Sequence, residues 1–208
     1  MEKIQRMLSF EISRDSAEDG QKKISGRPIV YGAIADIGDF FEVIEQGSLD
    51  ETDMRDVPLL VNHNGKMIPL ARSRRNNGNS TMTLSTDTEG LGFEAFIDVA
   101  RNQDAQALDS ALERGDIDGM SFVASVEFYW EGLGSGKPTR HITRIPRLYE
   151  ISAVTDPAYK ETSIAQRSAD REALEKALES LEKEKAEQKA FEDRKRALAL
   201  KLKLNFMR

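Results

Sequence analysis

The chain changes character sharply near Ser168, and this change limits the folds available to it. Residues 170–196 are almost entirely Ala, Leu, Glu, Lys, Gln and Arg, with no Gly or Pro. These residue types are strong helix formers. The preceding sequence instead alternates short apolar runs with glycines and turn residues. The sequence therefore predicts a mainly β, α+β domain over residues 1–165, followed by a charged helical arm over residues 166–208.

Short β-type runs are spread through the first region. Apolar residues alternate in 81–86 and 91–97, and the turn between them predicts a hairpin. One helix interrupts the strands, because apolar residues at helical spacing lie between Asn102, which can cap a helix start, and Gly115, which can end one. The region as a whole predicts an antiparallel, barrel-like β-core with few helices.

The arm supports two interpretations. Three leucines have heptad spacing, but Lys185 and Gln188 occupy the next two seam positions, so the coiled-coil pattern fades after about two turns. One interpretation is a solvated helix, and the other is an arm that pairs with a second chain, including another copy of this one. Residues 197–206 alternate leucine with Ala or Lys, which is the period of a strand. The three leucines with heptad spacing, near the start of the arm, are Leu174, Leu178 and Leu181.

Composition argues against several classes of protein. The net charge of −6 argues against a nucleic-acid-binding protein, which usually carries a basic patch. No apolar run approaches the roughly 20 residues that span a bilayer. The chain has no cysteine, and its two histidines lack the close spacing of a metal motif. We therefore expect a soluble intracellular protein that binds no metal, cofactor, nucleic acid or membrane.

Two short segments contain the residues best suited to catalysis. His63 follows the apolar run 59–61 and precedes the turn pair Asn64-Gly65, so its ring is expected at a strand end beside a loop. Ser121 follows Gly119-Met120 at the start of another apolar run. Because the chain lacks cysteine, a covalent mechanism would use a hydroxyl nucleophile with His63 or His141 as its base. Each of these residues also has a purely structural interpretation.

A third catalytic group would fix the orientation of the base, and two residues are candidates. Glu150 lies within the β-type run 148–154, where a buried carboxylate needs a partner, although it could also face solvent. His141 lies in a polar stretch, where a surface histidine is the simpler interpretation. The sequence alone leaves both open.

Several segments, in this order and spacing, resemble the prohead serine proteases of tailed bacteriophages. That family is related in fold to the herpesvirus maturation protease, assemblin. The resemblance extends over roughly residues 24–165. Its strongest parts are GDIDGMSF at 115–122 and YEISAVTDPA at 149–158, supported by GRPIVYG at 26–32, LLVNHN at 59–64 and EGLGF at 89–93.

The resemblance implies a Ser-His endopeptidase that acts inside the viral procapsid, in the host cytoplasm. It implies Ser121 as nucleophile, His63 as base and Glu150 as third member, where the herpesvirus relatives use a second histidine. The implied substrates are scaffold or the scaffolding segment of the major capsid protein, and the enzyme itself. Arg72 and Arg74 follow the His63 loop and are candidates for oxyanion stabilisation, or else ordinary surface arginines. The competing hypothesis is a non-enzymatic assembly protein with a vestigial protease domain and an interacting helical tail.

Overall fold

The computed structural model describes residues 2–8, 13–16, 20–74, 80–134, 136–155 and 164–206. Strands dominate up to residue 155, and a long helix follows, as predicted. The elements are β1 (Glu2–Leu8), β2 (Ser13–Ser16), β3 (Gln21–Val30), β4 (Ile34–Asp36), β5 (Phe41–Ile44), β6 (Val57–Val61), β7 (Ala71–Ser73), β8 (Met82–Thr86), β9 (Gly90–Asp98), α1 (Gln103–Arg114), β10 (Gly119–Glu131), β11 (Thr139–Val154) and α2 (Ile164–Phe206).

The larger sheet has seven strands and is built around β10 and β11. Its main order is β1-β10-β11-β5-β4, and β6 pairs with both β11 and β7. The strand β11 is long enough to pair with β5 at its start and with β6 at its end. Both of these pairings are parallel, as exceptions in a core that is mainly antiparallel, as the sequence predicted. The other pairings of this sheet are antiparallel.

The second sheet has four strands in the order β2-β3-β9-β8. The predicted hairpin is confirmed, because β8 and β9 pair antiparallel. Contacts between β10 and β3 on one side, and between β7 and β8 on the other, join the two sheets into a barrel-like body. Its core consists of alternate side chains of both sheets, among them Ile24, Leu59, Leu91, Phe122 and Ile151.

The helix α1 begins and ends where the sequence predicted. The Asn102 side chain accepts hydrogen bonds from the main-chain N–H groups of Asp104 and Ala105, as an N-cap does. Gly115 ends the helix with φ of 72°, a left-handed conformation that costs glycine little. Ala105 and Leu108 are buried beneath the helix, which fixes α1 against the β-body.

The helix α2 is a single helix through Phe206, so the strand-type alternation of residues 197–206 was misleading. Lys, Leu and Ala all favour a helix, and the preceding turns already supply its nucleus. Asp170 and Leu174 are buried, whereas every residue from 182 to 197 is exposed. The first turns of α2 thus pack on the β-body, and the domain boundary at 165/166 stays a prediction. No helix in the described part of the chain is long and apolar enough to span a membrane.

A buried arginine connects α2 to the larger sheet. Arg140 of β11 donates from Nε to Glu42 of β5 at 2.7 Å, and from Nη2 to Asp170 of α2 at 3.0 Å. Its guanidinium carbon lies 4.7 Å from the ring centre of Phe40 and 5.0 Å from that of Phe128. One guanidinium thus faces two buried carboxylates, and aromatic rings cover its plane, so both acids depend on the same cation.

We predict that Arg140→Ala lowers the free energy of unfolding by about 3–5 kcal/mol, because it removes the cation from two buried carboxylates. Arg144→Ala is the matched control on the same strand. Arg144 is 45% exposed and makes only 3.3 Å contacts with Glu51 and Glu127, so its loss should cost about 1 kcal/mol or less. Urea unfolding measures both variants. Equal effects of the two substitutions would contradict the importance given to the buried cluster.

Candidate active site

His63 lies in an unusual turn at the end of β6. Both Asn62 and His63 have left-handed backbone conformations, with φ of 49° and 56°. Such residues cost on the order of 1 kcal/mol each and persist only where their surroundings enforce them. Here the Asn62 N–H donates to Ala153 O at 2.9 Å, and its side-chain oxygen accepts from the Thr155 N–H at 3.1 Å. The turn is therefore fastened to the end of β11.

Ser121 is the third residue of β10 and pairs with Ser152 across the sheet. Its Oγ lies 2.6 Å from His63 Nε2, which is hydrogen-bond distance. The Ser121 residue is completely buried. A substrate carbonyl can reach this oxygen only if neighbouring atoms move aside.

Glu150 contacts the opposite side of the imidazole. Its Oε1 is hydrogen-bonded to His63 Nδ1. Glu150 pairs with Val123, two residues beyond Ser121, so both side chains lie on the same face of the sheet. The His63 and Glu150 side chains are 13% and 16% exposed. The structure thus brings Ser121, His63 and Glu150 into one continuous chain of contacts, and Glu150 has the partner that its β-run required.

The arrangement fixes how protons can move. If the Nδ1–H donates to the Glu150 carboxylate, the Nε2 lone pair is directed at the Ser121 hydroxyl and can accept its proton. The carboxylate also stabilises the imidazolium that this transfer creates, and it holds the ring in one orientation. A hydroxyl, a base and an orienting acid in this order are the requirements for an activated serine nucleophile.

His141 lies elsewhere. Its Nδ1 is 2.6 Å from Glu45 Oε1, its Nε2 is 3.0 Å from Glu131 Oε2, and its ring is stacked on Tyr129 at 4.8 Å. Nine residues along β11 separate it from Glu150, or roughly 25–30 Å at the rise of a strand. The structure therefore does not bring His141 to the His63 ring.

Arg72 and Arg74 both face Asp56. Arg72 donates to the Asp56 carboxylate through Nε and Nη2, and Arg74 Nε lies 3.9 Å from the same group. The hydrogen bonds from Arg72 hold the pKa of the Asp56 carboxyl below its usual range. These contacts fit the surface-arginine interpretation and give no support to an oxyanion role.

Sequence reasoning missed two residues of the site, Asn62 and Ser152. The Ser152 Oγ is 3.4 Å from Glu150 Oε1 and accepts from the His63 N–H at 3.3 Å. Its position two residues after Glu150 was a usable signal, because strand residues two apart share a face. No comparable signal exists for Asn62, whose role depends on a left-handed turn.

A cleft of about 450 Å³ adjoins the His63 turn. Its walls are α1, the loop that carries Asn62 and Asn64, and the residues that flank the ends of β10 and β11. The lining residues are Val61, Asn62, Asn64, Met67, Asp104, Ala107, Leu108, Ala111, Ile117 and Thr155. The lining is mostly apolar with a few polar groups, which is typical of ligand sites. In the part of the chain that the structure describes, no group of three acidic or histidine side chains is placed to hold a metal ion.

Comparison with known proteins agrees with the resemblance of the motifs. The profile of the caudovirus prohead serine protease family matches residues 9–177, from the region of the first strands into the early turns of α2. Among solved structures, the capsid assembly protease gp21 of bacteriophage T4 matches at 13% identity with a TM-score of 0.41, over 74% of this chain and 99% of that one. No curated protein matches the chain. Because the family profile extends over most of its length, this chain belongs to the caudovirus prohead serine protease family.

Proposed function

We propose that this chain is a serine endopeptidase of capsid maturation, in which Ser121 is the nucleophile, His63 the general base and Glu150 the group that orients His63. The observation that carries the proposal is the contact of 2.6 Å between Ser121 Oγ and His63 Nε2, with Glu150 bonded to Nδ1 of the same ring. Family membership supplies the protease class. The contacts of Ser121, His63 and Glu150 support their proposed roles in the reaction.

The proposed reaction has two halves. Ser121 Oγ attacks the peptide carbonyl carbon while its proton passes to His63 Nε2, and Glu150 stabilises the resulting imidazolium. Collapse of the tetrahedral intermediate breaks the C–N bond, and the leaving amine takes the proton from Nε2. Water then attacks the acyl-enzyme with His63 again as base, which releases the acid and restores the serine hydroxyl.

The proposed substrates are scaffold or the scaffolding segment of the major capsid protein, inside the procapsid, together with the enzyme itself. The alternative is an assembly protein with a vestigial protease domain. A vestigial site is under no requirement to keep a hydroxyl, an imidazole and a carboxylate within hydrogen-bond reach. The contacts of Ser121, His63 and Glu150 therefore favour the enzyme.

The direct test is co-expression with the major capsid protein and scaffold of the phage that encodes this chain. Intact-mass analysis should show capsid or scaffold protein cut at defined positions, and a shortened protease, only when the protease has its native sequence. Ser121→Ala co-expressed at the same level should leave every mass unchanged. Assembly of procapsids without any cut by the native enzyme would favour the non-enzymatic alternative.

The cleft beside the His63 turn is the proposed binding place for an apolar side chain of the substrate peptide. Ala107 lies on its α1 wall and is exposed, so a larger side chain there occupies the cleft without entering the core. We predict that Ala107→Phe raises KM about tenfold or more for a peptide that spans the mapped cut, with kcat nearly unchanged.

Glu113→Phe is the control for this substitution. It places the same side chain on an exposed position of α1 that does not line the cleft. Steady-state kinetics on the same peptide should give native values for this variant. A native KM for Ala107→Phe would show that the substrate peptide does not bind in the cleft.

The distal part of α2 is the proposed targeting arm, which docks onto a helical segment of scaffold. Residues 182–197 are exposed along the helix and rich in Lys, Arg and Glu, so they are available to a charged partner. A second copy of the chain is the other candidate partner. Because Asp170 and Leu174 are buried, a truncation that preserves the fold should remove only residues beyond the first turns of α2.

We predict that a chain ending at Ala186 retains the β-sheet signal in its circular dichroism spectrum and retains peptidase activity. It should nevertheless be packaged into procapsids at a small fraction of the native level. A chain ending at Ala165 also loses the Arg140–Asp170 contact and should be less stable. Packaging is measured by quantitative immunoblot of purified procapsids. Native packaging of the chain ending at Ala186 would contradict the targeting function.

A further inference from the structure

We propose that Ser152 is a positioning residue of the catalytic apparatus, whose hydroxyl holds the Glu150 carboxylate and the His63 main chain in a single arrangement. This inference rests on the proposed function of Ser121, His63 and Glu150. It adds a fourth side chain that acts on the reaction through two of the others.

Three contacts form a closed ring. The Ser152 hydroxyl accepts from the His63 N–H at 3.3 Å and lies 3.4 Å from Glu150 Oε1, to which it donates. That carboxylate oxygen is the same one that bonds His63 Nδ1. The hydroxyl thus connects the main chain of the base to the acid that orients its ring. Both contacts of Ser152 are longer than the usual ranges for N–H···O and O–H···O hydrogen bonds, so each is weak by itself and the two act together on His63 and Glu150.

The sheet itself determines where this hydroxyl lies. Ser152 pairs with Ser121 of β10 on one side and with Leu60 of β6 on the other, at the meeting point of three strands. It is completely buried, so water does not compete for the hydroxyl. A group on a central strand is held more accurately than one on a loop.

His63 is the residue that needs such help. Its φ of 56° lies in a region that is unfavourable for a non-glycine residue. The bond from its N–H to Ser152 favours this conformation over an extended one, in which the ring would move away from Ser121. The donated bond to Glu150 favours the carboxylate position that faces Nδ1. Removal of the Ser152 hydroxyl therefore loosens both the His63 main chain and the Glu150 carboxylate.

Ser152→Ala tests this inference, because it removes the hydroxyl oxygen and leaves the β-carbon in place. We expect kcat to fall about 10- to 100-fold with KM nearly unchanged, since a displacement of about 1 Å in a catalytic group costs about that much. We also expect the proton NMR resonance of His63 Nδ1–H to shift or broaden. Ser152→Thr keeps a hydroxyl and should recover part of both.

Ser125→Ala is the matched control, a buried serine of the same sheet paired with Arg147 and not with the triad. It should leave kcat and the resonance native. If Ser152→Ala does not fold, Ser152→Cys replaces it, because the thiol fills the same place but is only a weak donor and acceptor. The same fall in kcat and the same change in the resonance are then expected, and native values of both would overturn the inference. Native kcat and an unchanged resonance in Ser152→Ala would overturn it. That result, alongside an inactive Ser121→Ala, leaves the proposed function standing, whereas activity in Ser121→Ala overturns the function itself.

Discussion

Ser121→Ala and His63→Ala are each expected to abolish proteolysis while leaving the fold intact. The alanine at 121 has no oxygen to attack the carbonyl, and the alanine at 63 leaves the hydroxyl protonated and weakly nucleophilic. Removal of a member of a serine triad lowers turnover by about 10⁴-fold or more. In the proposed mechanism the two residues act as one unit, so the double variant should be no slower than either single one.

The measurement is the rate of capsid-protein cleavage by purified enzyme, with circular dichroism to verify folding. Ser125→Ala, which removes the same atom from another buried serine of β10, should retain native activity. Cleavage at the native rate by either Ser121→Ala or His63→Ala would remove that residue from the catalytic set. A double variant that is slower than both single variants would show that the two residues act separately.

Glu150→Gln is expected to lower turnover by about 10⁴-fold, whereas His141→Ala should leave it nearly unchanged. The amide has the size of the carboxylate but can present an N–H to His63 Nδ1, which stabilises the tautomer with its proton on Nε2. That tautomer cannot accept the Ser121 proton, as an Asp-to-Asn change in a serine triad shows. His141 instead bonds Glu45 and Glu131 far along β11.

Steady-state kinetics of both variants on one peptide separate the two candidates. A near-native Glu150→Gln together with an inactive His141→Ala would indicate a Ser-His-His arrangement of the herpesvirus type. Small and equal effects of Glu150→Gln and His141→Ala would mean that neither residue orients His63. Glu150→Asp is a useful third variant, because it retains the charge but withdraws the carboxylate by one methylene, and its activity should lie between those of Glu150→Gln and the native enzyme.

Local patterns in the sequence were sufficient for much of the fold, and they selected the three residues proposed for catalysis. The α1 caps, the β8–β9 hairpin and the start of a long terminal helix all follow from residues within a few positions of one another. Ser121, His63 and Glu150 were identified through motif neighbours and the shortage of alternatives, two histidines and no cysteine. The structure places the three side chains in contact, and their roles remain predictions.

Long-range packing determined what the sequence did not disclose. The parallel pairings of β11 with β5 and β6 join segments about a hundred residues apart, and no local pattern encodes them. The left-handed turn at Asn62 and His63 violates ordinary preference, and it exists because β11 holds it from the side. Composition alone assigned Asp170 to a charged arm that is either solvated or paired with a second chain. Its burial depends instead on Arg140 of β11.

Labelling with a fluorophosphonate tests the central claim most directly, because it reports an activated serine without reference to any substrate. Attack by the serine Oγ forms an O–P bond and expels fluoride, and the base takes the hydroxyl proton. Peptide mass spectrometry should find one adduct, on the peptide that contains Ser121, and none in His63→Ala. An adduct on a different hydroxyl, or an unlabelled enzyme that still cuts the capsid protein, would contradict the account.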